Sequence, residues 1–339
     1  MLKDRLESEF HMRRITAFLS TAAGLILFTV LIAHEGVSDI LAALTSAGWS
    51  LLWVALFHFI PLALDSIGWF SLTTRNNHPS LGAFFWARWV AESFNSLLPV
   101  GQVGGHVVRA ILIAGRRLPK VKASASVMVD FTIGIATQFI FSLLGGALLF
   151  SYLKSMDVMM SLAALVVISF FLLTVFYFGQ RKGLFSFGAA FIKKLSGDSR
   201  RMIPLVGNAQ SLDAEISKIY KRRKDLIICG TWRLTGWLMK GVETMLALHL
   251  LGYQATFQEA LILESLSNAV ASAAFIFPGG LGVREGSILL LGKLLGLPSE
   301  IALALALVRR GRELVLGIPG LLLWLASEGP AFFRRHKNA

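Results

Sequence analysis

Arginines stand within otherwise apolar stretches of this chain, and their spacing could create sites for a phosphate group. Arg284 follows a turn rich in glycine and proline, Arg109 follows an earlier turn of the same kind, and three more arginines fall within four residues of a later apolar stretch. A guanidinium donates hydrogen bonds in a planar fork that matches phosphate oxygens, and a helix that begins after a break adds free N–H groups. The candidate anion-binding residues are Arg109, Arg284, Arg309, Arg310 and Arg312.

Structural explanations exist for the same arginines, and the sequence leaves them open. Arg284 and Glu285 are neighbours that could neutralise each other and fix the turn. Arg309 and Glu313 stand one helical turn apart and could pair. Arg109 could extend its charged end to a membrane surface instead of lining a cavity.

Ionisable residues elsewhere in apolar stretches are candidates for coupling or pairing. They are Glu92, Asp130, Lys240, Glu243 and Glu285. Asp130 has no opposite charge nearby in sequence, and a buried carboxylate is costly without a partner, so we expect Arg109 or a cation of a later helix beside it. Lys240 and Glu243 are three residues apart and can pair. Asp130 and Glu285 are the residues expected to exchange protons.

Little in the sequence suggests catalysis. The single cysteine excludes an internal disulfide and a cysteine-based zinc site. The segment 286–293 differs from a phosphate loop by one extra residue before its lysine, so it predicts no nucleotide site. We find no metal-ligand cluster and no nucleophile motif, and we expect no cofactor. Glu285 with His106 is the one pair that could serve as acid and base.

Two breaks in apolar stretches position the charged residues. Their turn residues are Pro99, Gly101, Gly104, Gly105, Pro278, Gly279, Gly280 and Gly282. The halves on either side of each break are too short to cross a hydrocarbon core, which requires about 20 helical residues. Pro99 precedes Pro119 by twenty residues, and Pro278 precedes Pro298 by the same distance. This spacing indicates an internal repeat.

The composition is that of an integral membrane protein. Hydrophobic residues make up 55% of the 339 residues and charged residues 16%, whereas soluble domains carry about 25% charge. The net charge of +13 is distributed over short loops between apolar spans, which is typical of membrane topology and of contact with anionic lipids rather than nucleic acid. The five arginines are therefore candidates for binding a lipid headgroup.

The predicted fold is an all-α integral membrane protein with about six transmembrane helices and two oppositely oriented re-entrant hairpins in an inverted repeat. We expect a single transmembrane domain with both termini in the cytoplasm. Its predicted parts are a cytoplasmic N-terminus 1–14, a first repeat 15–178 with hairpin 81–114, a basic cytoplasmic insertion 179–225, a second repeat 226–326 with hairpin 257–297, and a cytoplasmic tail 327–339. Apolar residues at helical spacing in the insertion, including Leu212, Ile216 and Ile219, predict an amphipathic helix on the inner leaflet.

The chain resembles the lysylphosphatidylglycerol synthase/flippase transmembrane-domain family. The resemblance rests on Pro278-Gly279-Gly280-Leu281-Gly282-Val283-Arg284-Glu285-Gly286, Arg309-Arg310-Gly311-Arg312-Glu313 and Pro319-Gly320. The segment 95–105 is most similar to the branch of the hopanoid-associated membrane protein HpnL. The resemblance implies a bacterial cytoplasmic membrane and lipid translocation without aminoacylation. The family pattern implies an acidic residue where His106 stands and a neutral one where Arg284 stands, and both departures favour a more anionic headgroup.

Three functions remain open at this point. The first is movement of an anionic or modified lipid between leaflets, downhill or coupled to a gradient because no nucleotide site is visible. The second is a membrane-embedded lipid-modifying enzyme, or the membrane subunit of a lipid-synthesis complex that could involve hopanoids. The third is a scaffold that binds lipid-synthesising enzymes through residues 179–225. The expected partners are membrane lipids with anionic headgroups, lipid-synthesis enzymes or further copies of the chain, and not nucleic acid.

Overall fold

Helices form the whole of the structure that the computed structural model describes. It describes residues 37–73, 79–97, 101–114, 116, 118–154, 174, 177–180, 203–273 and 282–327. Within these residues no strand occurs. The helices are α1 (Val37–Ala47), α2 (Leu52–Phe57), α3 (Phe59–Ser71), α4 (Leu81–Leu97), α5 (Gly101–Ala114), α6 (Lys120–Leu153), α7 (Ile203–Lys221), α8 (Arg223–Leu250), α9 (Phe257–Ala273), α10 (Val283–Leu295) and α11 (Ser299–Ser327).

Several predicted features lie outside the described residues. They are the N-terminus 1–14, the first predicted span 15–33, most of the span 158–178, the part 181–202 of the insertion, the tail 328–339, and the turn residues Pro99, Pro278, Gly279 and Gly280.

Two segments of the described chain are apolar and long enough to cross a membrane. They are Leu44–Ser71, which runs from the end of α1 through α3, and Lys120–Leu153, which is α6. Helices α8 and α11 contain 28 and 29 residues, so they have the required length, but charged residues lie along them. The arginines and glutamates that make these two helices chemically interesting also lower their hydrophobicity.

Short helices occupy the two predicted hairpins. Helices α4 and α5 contain 17 and 14 residues, and helices α9 and α10 contain 17 and 13. The second pair also packs together, and α10 packs in turn on α11. None of the four reaches the roughly 20 residues that a single crossing requires.

The glycines of the first break differ from the prediction. Helix α5 begins at Gly101 and includes Gly104 and Gly105, which the sequence placed in the turn. The N–H of Gly105 donates to the side-chain oxygen of Asn95 at 2.8 Å, and a Cβ there would lie 2.5 Å from the carbonyl oxygen of Ala91. Glycine at this position therefore permits close approach of α4 and α5 rather than a turn.

The amphipathic helix of the insertion also differs from the prediction. Ile216, Ile219 and Tyr220 of α7 are buried in a core with Leu72 and Cys229, and α7 packs along α6. The apolar face of this helix therefore contacts protein and not the inner leaflet. An amphipathic pattern alone does not distinguish these two environments, because both bury the same apolar stripe.

The chain divides into two compact units. Unit 1 consists of residues 1–59, 89–105 and 239–339, and unit 2 consists of residues 60–88 and 106–238. Each unit combines segments that are distant in sequence, and each contains its own cluster of buried charged residues.

Candidate functional site

Asp130 is the centre of the charged cluster in unit 2. Its side chain is fully buried in the middle of α6, and its two oxygens accept hydrogen bonds from three guanidinium groups. Arg109 of α5 donates at 2.6 Å, Arg88 of α4 at 3.3 Å and Arg233 of α8 at 3.2 Å. Three donors of positive charge hold this carboxylate as an anion.

Asp65 of α3 is the second carboxylate of this cluster. It lies 3.5 Å from Arg88 and 3.9 Å from Arg233. We call the five residues Asp65, Arg88, Arg109, Asp130 and Arg233 the arginine cluster. It contains three arginines and two aspartates, so one positive charge remains uncompensated within it.

The guanidinium of Arg233 has an unsatisfied donor. Its Nε is buried and has no hydrogen-bond partner among the described residues. Gly134 of α6 provides the space for this side chain, because a Cβ at position 134 would overlap the guanidinium. A buried donor without an acceptor is costly, so this N–H is placed to meet an acceptor that binds from outside the cluster.

His106 has a supporting position next to the arginine cluster. Its Nδ1 lies 2.7 Å from Nη2 of Arg109. An arginine can only donate, so this nitrogen accepts and the imidazole is neutral, with its hydrogen on Nε2. The other side of Arg109 stacks over the ring of Trp69 at 4.8 Å. Both contacts fix the direction in which Arg109 points.

Arg309 is paired deep within unit 1. It donates to Glu264 of α9, to the hydroxyl of Thr244 at 2.9 Å and to that of Ser267 at 3.4 Å. Glu264 also accepts from Thr244 at 2.7 Å. The pairing with Glu313 that the sequence suggested is replaced by a partner 45 residues away.

Arg310 and Arg284 share the carboxylate of Glu313. Arg310 contacts Glu313 at 2.7 Å and Glu285 at 2.6 Å, and Arg284 contacts Glu313 at 3.2 Å. Arg284 also donates to the side-chain oxygen of Asn268 at 2.8 Å, while its buried Nε has no partner in the described part of the chain. Arg284 and Glu285, neighbours in sequence, thus contact different partners.

Glu285 also stabilises the start of α10. The N–H of Gly282 donates to Glu285 at 2.7 Å, and Gly282 has a φ of +77° that favours glycine. The predicted turn residue and the predicted acidic residue therefore form one structural feature, which orients Arg284 in the first turn of the helix.

Glu243 of α8 joins Arg312 to His58. It accepts a hydrogen bond from Arg312, and its other oxygen lies 2.8 Å from Nδ1 of His58. Nε2 of His58 lies 2.8 Å from Glu92 of α4. We call the charged residues of unit 1 the paired network: His58, Glu92, Glu243, Glu264, Arg284, Glu285, Arg309, Arg310, Arg312 and Glu313. The sequence predicted a cationic cavity at Arg309, Arg310 and Arg312, whereas each of these arginines contacts a glutamate.

Sequence reasoning passed over several of these residues. They are His58, Asp65, Arg88, Glu264 and Asn268. An ionisable residue within an apolar span is a functional candidate by default, and that signal was present for His58 and Asp65 in the span from Trp49 to Leu72. The proposed acid–base pair, Glu285 and His106, belongs to different units, and each of the two contacts an arginine of its own unit.

Comparison with known proteins identifies the family. A model of the lysylphosphatidylglycerol synthase transmembrane region matches residues 15–320. The chain belongs to this family. It is therefore a membrane protein with a lipid-related function. The matched region includes every residue of the arginine cluster and of the paired network. No curated protein and no solved structure matches the chain.

Both clusters can bind anions by the same chemistry. The unsatisfied Nε atoms of Arg233 and Arg284 are buried donors of positive charge, and a phosphate oxygen would accept from either. No three His, Cys, Asp or Glu side chains within the described residues are arranged to hold a metal ion. For this membrane family, charged groups at the depth of the helices are expected to contact the polar part of a lipid.

Proposed function

We propose that the protein moves lipids with anionic headgroups from one leaflet of the membrane to the other. The headgroup phosphate binds at the arginine cluster of unit 2, while the acyl chains remain in the lipid. The observation that carries this proposal is the excess of arginine over aspartate around Asp130, together with the buried and unsatisfied Nε of Arg233. Uncompensated positive charge is costly in a membrane helix bundle and is retained where an anion must bind.

Arg284 is the second candidate contact for the headgroup. Of the other predicted headgroup residues, Arg309, Arg310 and Arg312 each contact a glutamate, whereas Arg284 keeps one buried donor without an acceptor. We assign Arg309, Arg310 and Arg312 to the support of α11, and Arg284 to transient contact with the phosphate.

The two pairs of short helices support a transporter with re-entrant hairpins. Helices α4 and α9 each contain 17 residues, and the helices that follow them contain 14 and 13. In both halves a charged residue at the eighth position of the first helix pairs with one at the eleventh position of the helix after the hairpin. These pairs are Arg88 with Asp130, and Glu264 with Arg309. Such correspondence is expected of an internal repeat, and inverted repeats are common in transporters.

The remaining features of the proposal follow from the sequence. Six spans and two hairpins place both termini in the cytoplasm of a bacterial cell, with basic loops on the same side. Movement requires no nucleotide. The resemblance to the hopanoid-associated branch suggests that the lipid environment, or the lipid itself, includes hopanoids.

The test is a headgroup-accessibility assay on proteoliposomes. Fluorescent phosphatidylglycerol or phosphatidylcholine is placed in both leaflets, and dithionite quenches the label in the outer one. We expect quenching beyond half for phosphatidylglycerol, because labelled lipid from the inner leaflet reaches the outside. Arg233→Gln leaves two arginines and two aspartates in the cluster, so it removes the excess charge without leaving a carboxylate alone. We expect it to slow phosphatidylglycerol movement about tenfold or more, since a charged hydrogen bond contributes about 1.5–3 kcal/mol.

The matched control is Lys218→Gln, which removes one positive charge from the exposed face of α7 in the same unit. It should move phosphatidylglycerol at the wild-type rate. The proposal is wrong if quenching by the wild type stops at half for every headgroup. The assignment of the headgroup to the arginine cluster is wrong if Arg233→Gln and Lys218→Gln behave alike.

A further inference from the structure

His58 lies between two glutamates, and both of its ring nitrogens face carboxylate oxygens. Nδ1 is 2.8 Å from Glu243, and Nε2 is 2.8 Å from Glu92. His58 is buried, so water does not replace either contact. This arrangement differs from that of His106, where one nitrogen accepts a hydrogen bond from an arginine.

The geometry fixes the number of protons in this triad. A neutral imidazole carries one N–H and one bare nitrogen, and a bare nitrogen repels a bare carboxylate oxygen at hydrogen-bond distance. Two contacts of 2.8 Å therefore require two hydrogens. The second hydrogen belongs either to the imidazole, as imidazolium, or to one glutamate as a carboxylic acid. The triad holds one proton more than a neutral histidine with two ionised glutamates.

Charged groups on several helices surround the triad. Glu92 belongs to α4, Glu243 and Lys240 to α8, and Arg312 with Glu313 to α11. Arg312 donates to Glu243, and the charge of Lys240 acts on Glu92. The triad thus lies in a field in which cations and carboxylates alternate, and its extra proton is not fixed by a single strong partner.

One end of the triad is accessible and the other is closed. The side chain of Glu92 is 47% exposed, whereas those of His58 and Glu243 are each 4% exposed. A proton can therefore arrive at Glu92, bind Nε2 of His58, and displace the hydrogen of Nδ1 to Glu243. Each transfer forms one O–H or N–H bond and breaks another.

The two residues that the sequence suggested for proton exchange are held more firmly. Asp130 accepts from three arginines, and Glu285 accepts from Arg310 and from the N–H of Gly282. Each carboxylate would lose several charged contacts on binding a proton. Only the triad shares its hydrogens between groups that exchange protons near neutral pH.

We propose that Glu92, His58 and Glu243 form a proton-binding site that couples lipid translocation to a proton gradient. This inference rests on the proposed function, because the proton must be exchanged against a moving lipid. For one proton per lipid, a gradient of about one pH unit changes the equilibrium ratio of lipid between leaflets about tenfold. The fraction of lipid accessible from outside would then move from half to about nine-tenths, or to about one-tenth for the opposite gradient.

The experiment imposes such gradients on proteoliposomes before a brief dithionite pulse. We expect wild-type protein to shift the accessible fraction in opposite directions for opposite gradients. His58→Gln should leave it at half in both. The control is His249→Gln in the same unit, since Nε2 of His249 contacts only a backbone carbonyl, that of Ala255, at 2.9 Å. This variant should respond to the gradient as the wild type does.

A second measurement makes the result independent of translocation. In ¹⁵N-histidine-labelled protein, the His58 signals are those that His58→Gln removes. We expect two protonated ring nitrogens at low pH and one at high pH between about pH 5 and 9, because the site must load and unload. Signals that do not change over this range would overturn the proton site, as would a gradient response that survives in His58→Gln. Titration of His58 without quenching beyond half in wild-type vesicles would instead refute the proposed function and leave the proton site in place.

Discussion

The arginine cluster of unit 2 and the paired network of unit 1 use the same helix positions with opposite charges. Position eight of α4 is Arg88 and position eleven of α6 is Asp130, and these two pair at 3.3 Å. Position eight of α9 is Glu264 and position eleven of α11 is Arg309, which also pair. These positions require that a buried charge be neutralised, but the sign of each charge is free.

The surroundings of the two pairs differ more than the pairs themselves. Asp130 attracts two further arginines, so charge converges on one carboxylate. Arg309 instead has hydroxyl groups as its other partners, and neighbouring arginines of α11 each have their own glutamates. A converging arrangement leaves positive charge over for a ligand, whereas a paired arrangement stiffens the helices. This difference assigns binding to unit 2 and support, with proton exchange, to unit 1.

The two histidines show the same contrast. His106 accepts from Arg109 and is fixed as a neutral ring, and His58 faces two carboxylates and can carry a second proton. One imidazole orients an arginine, and the other can change its charge.

The largest effect is expected from Asp130→Asn. Asparagine keeps the shape of the side chain, but three arginines would then face the single carboxylate of Asp65. Removing one partner of a buried ion pair costs about 3–5 kcal/mol, so we expect a large fall in the unfolding temperature of the purified protein in detergent.

Glu215→Gln is the control for this change. It removes a carboxylate whose partner, Lys218, is 68% exposed, and exposed ion pairs contribute about 0–1 kcal/mol. If Asp130→Asn and Glu215→Gln unfold at the same temperature, charge does not converge on Asp130 as described.

An exchange of charges within each pair gives the next largest effect. Glu264→Arg and Arg309→Glu should each destabilise by about 3 kcal/mol, and the double variant should recover at least half of the loss. The corresponding exchange, Arg88→Asp with Asp130→Arg, should recover nothing, because a cation at position 130 would meet Arg109 and Arg233. Unfolding temperatures of the six variants decide the matter. Equal recovery in both units would show that the two pairs have equivalent surroundings.

The sequence predicted the helical elements of the hairpins because proline and glycine punctuate them. The predicted hairpin 81–114 corresponds to the limits of α4 and α5, and the predicted hairpin 257–297 contains α9 and α10. Helix ends depend on local chemistry that is visible in a few residues. The family was recognised for the same reason, since its signature lies in the turns, and the match over residues 15–320 confirms it.

The partners of the charged residues could not be predicted in this way. Sequence reasoning supplies partners three or four residues away, and it suggested Glu313 for Arg309. In the structure, Glu243 and Arg312 are 69 residues apart, and His58 and Glu243 are 185 residues apart. These contacts depend on how helices pack, which a local pattern does not encode. His58 was missed because the span from Trp49 to Leu72 was assessed for its hydrophobicity alone.

Gly134→Ala should give the smallest effect and sharpens the comparison at one atom. A methyl group at position 134 would overlap the guanidinium of Arg233, which must then move away from Asp130. Overpacking of this kind costs about 1–3 kcal/mol, and Arg233, unlike a backbone atom, can yield. Gly311→Ala is the control, because nothing lies within 4 Å of a Cβ there and alanine favours a helix over glycine by about 1 kcal/mol. We therefore expect Gly134→Ala to unfold at a lower temperature than the wild type and Gly311→Ala at the same or a higher one. Since the corresponding position of α11 is Glu313, small size at position 134 matters only where a third arginine must reach the same carboxylate, and equal behaviour of both variants would contradict the converging arrangement.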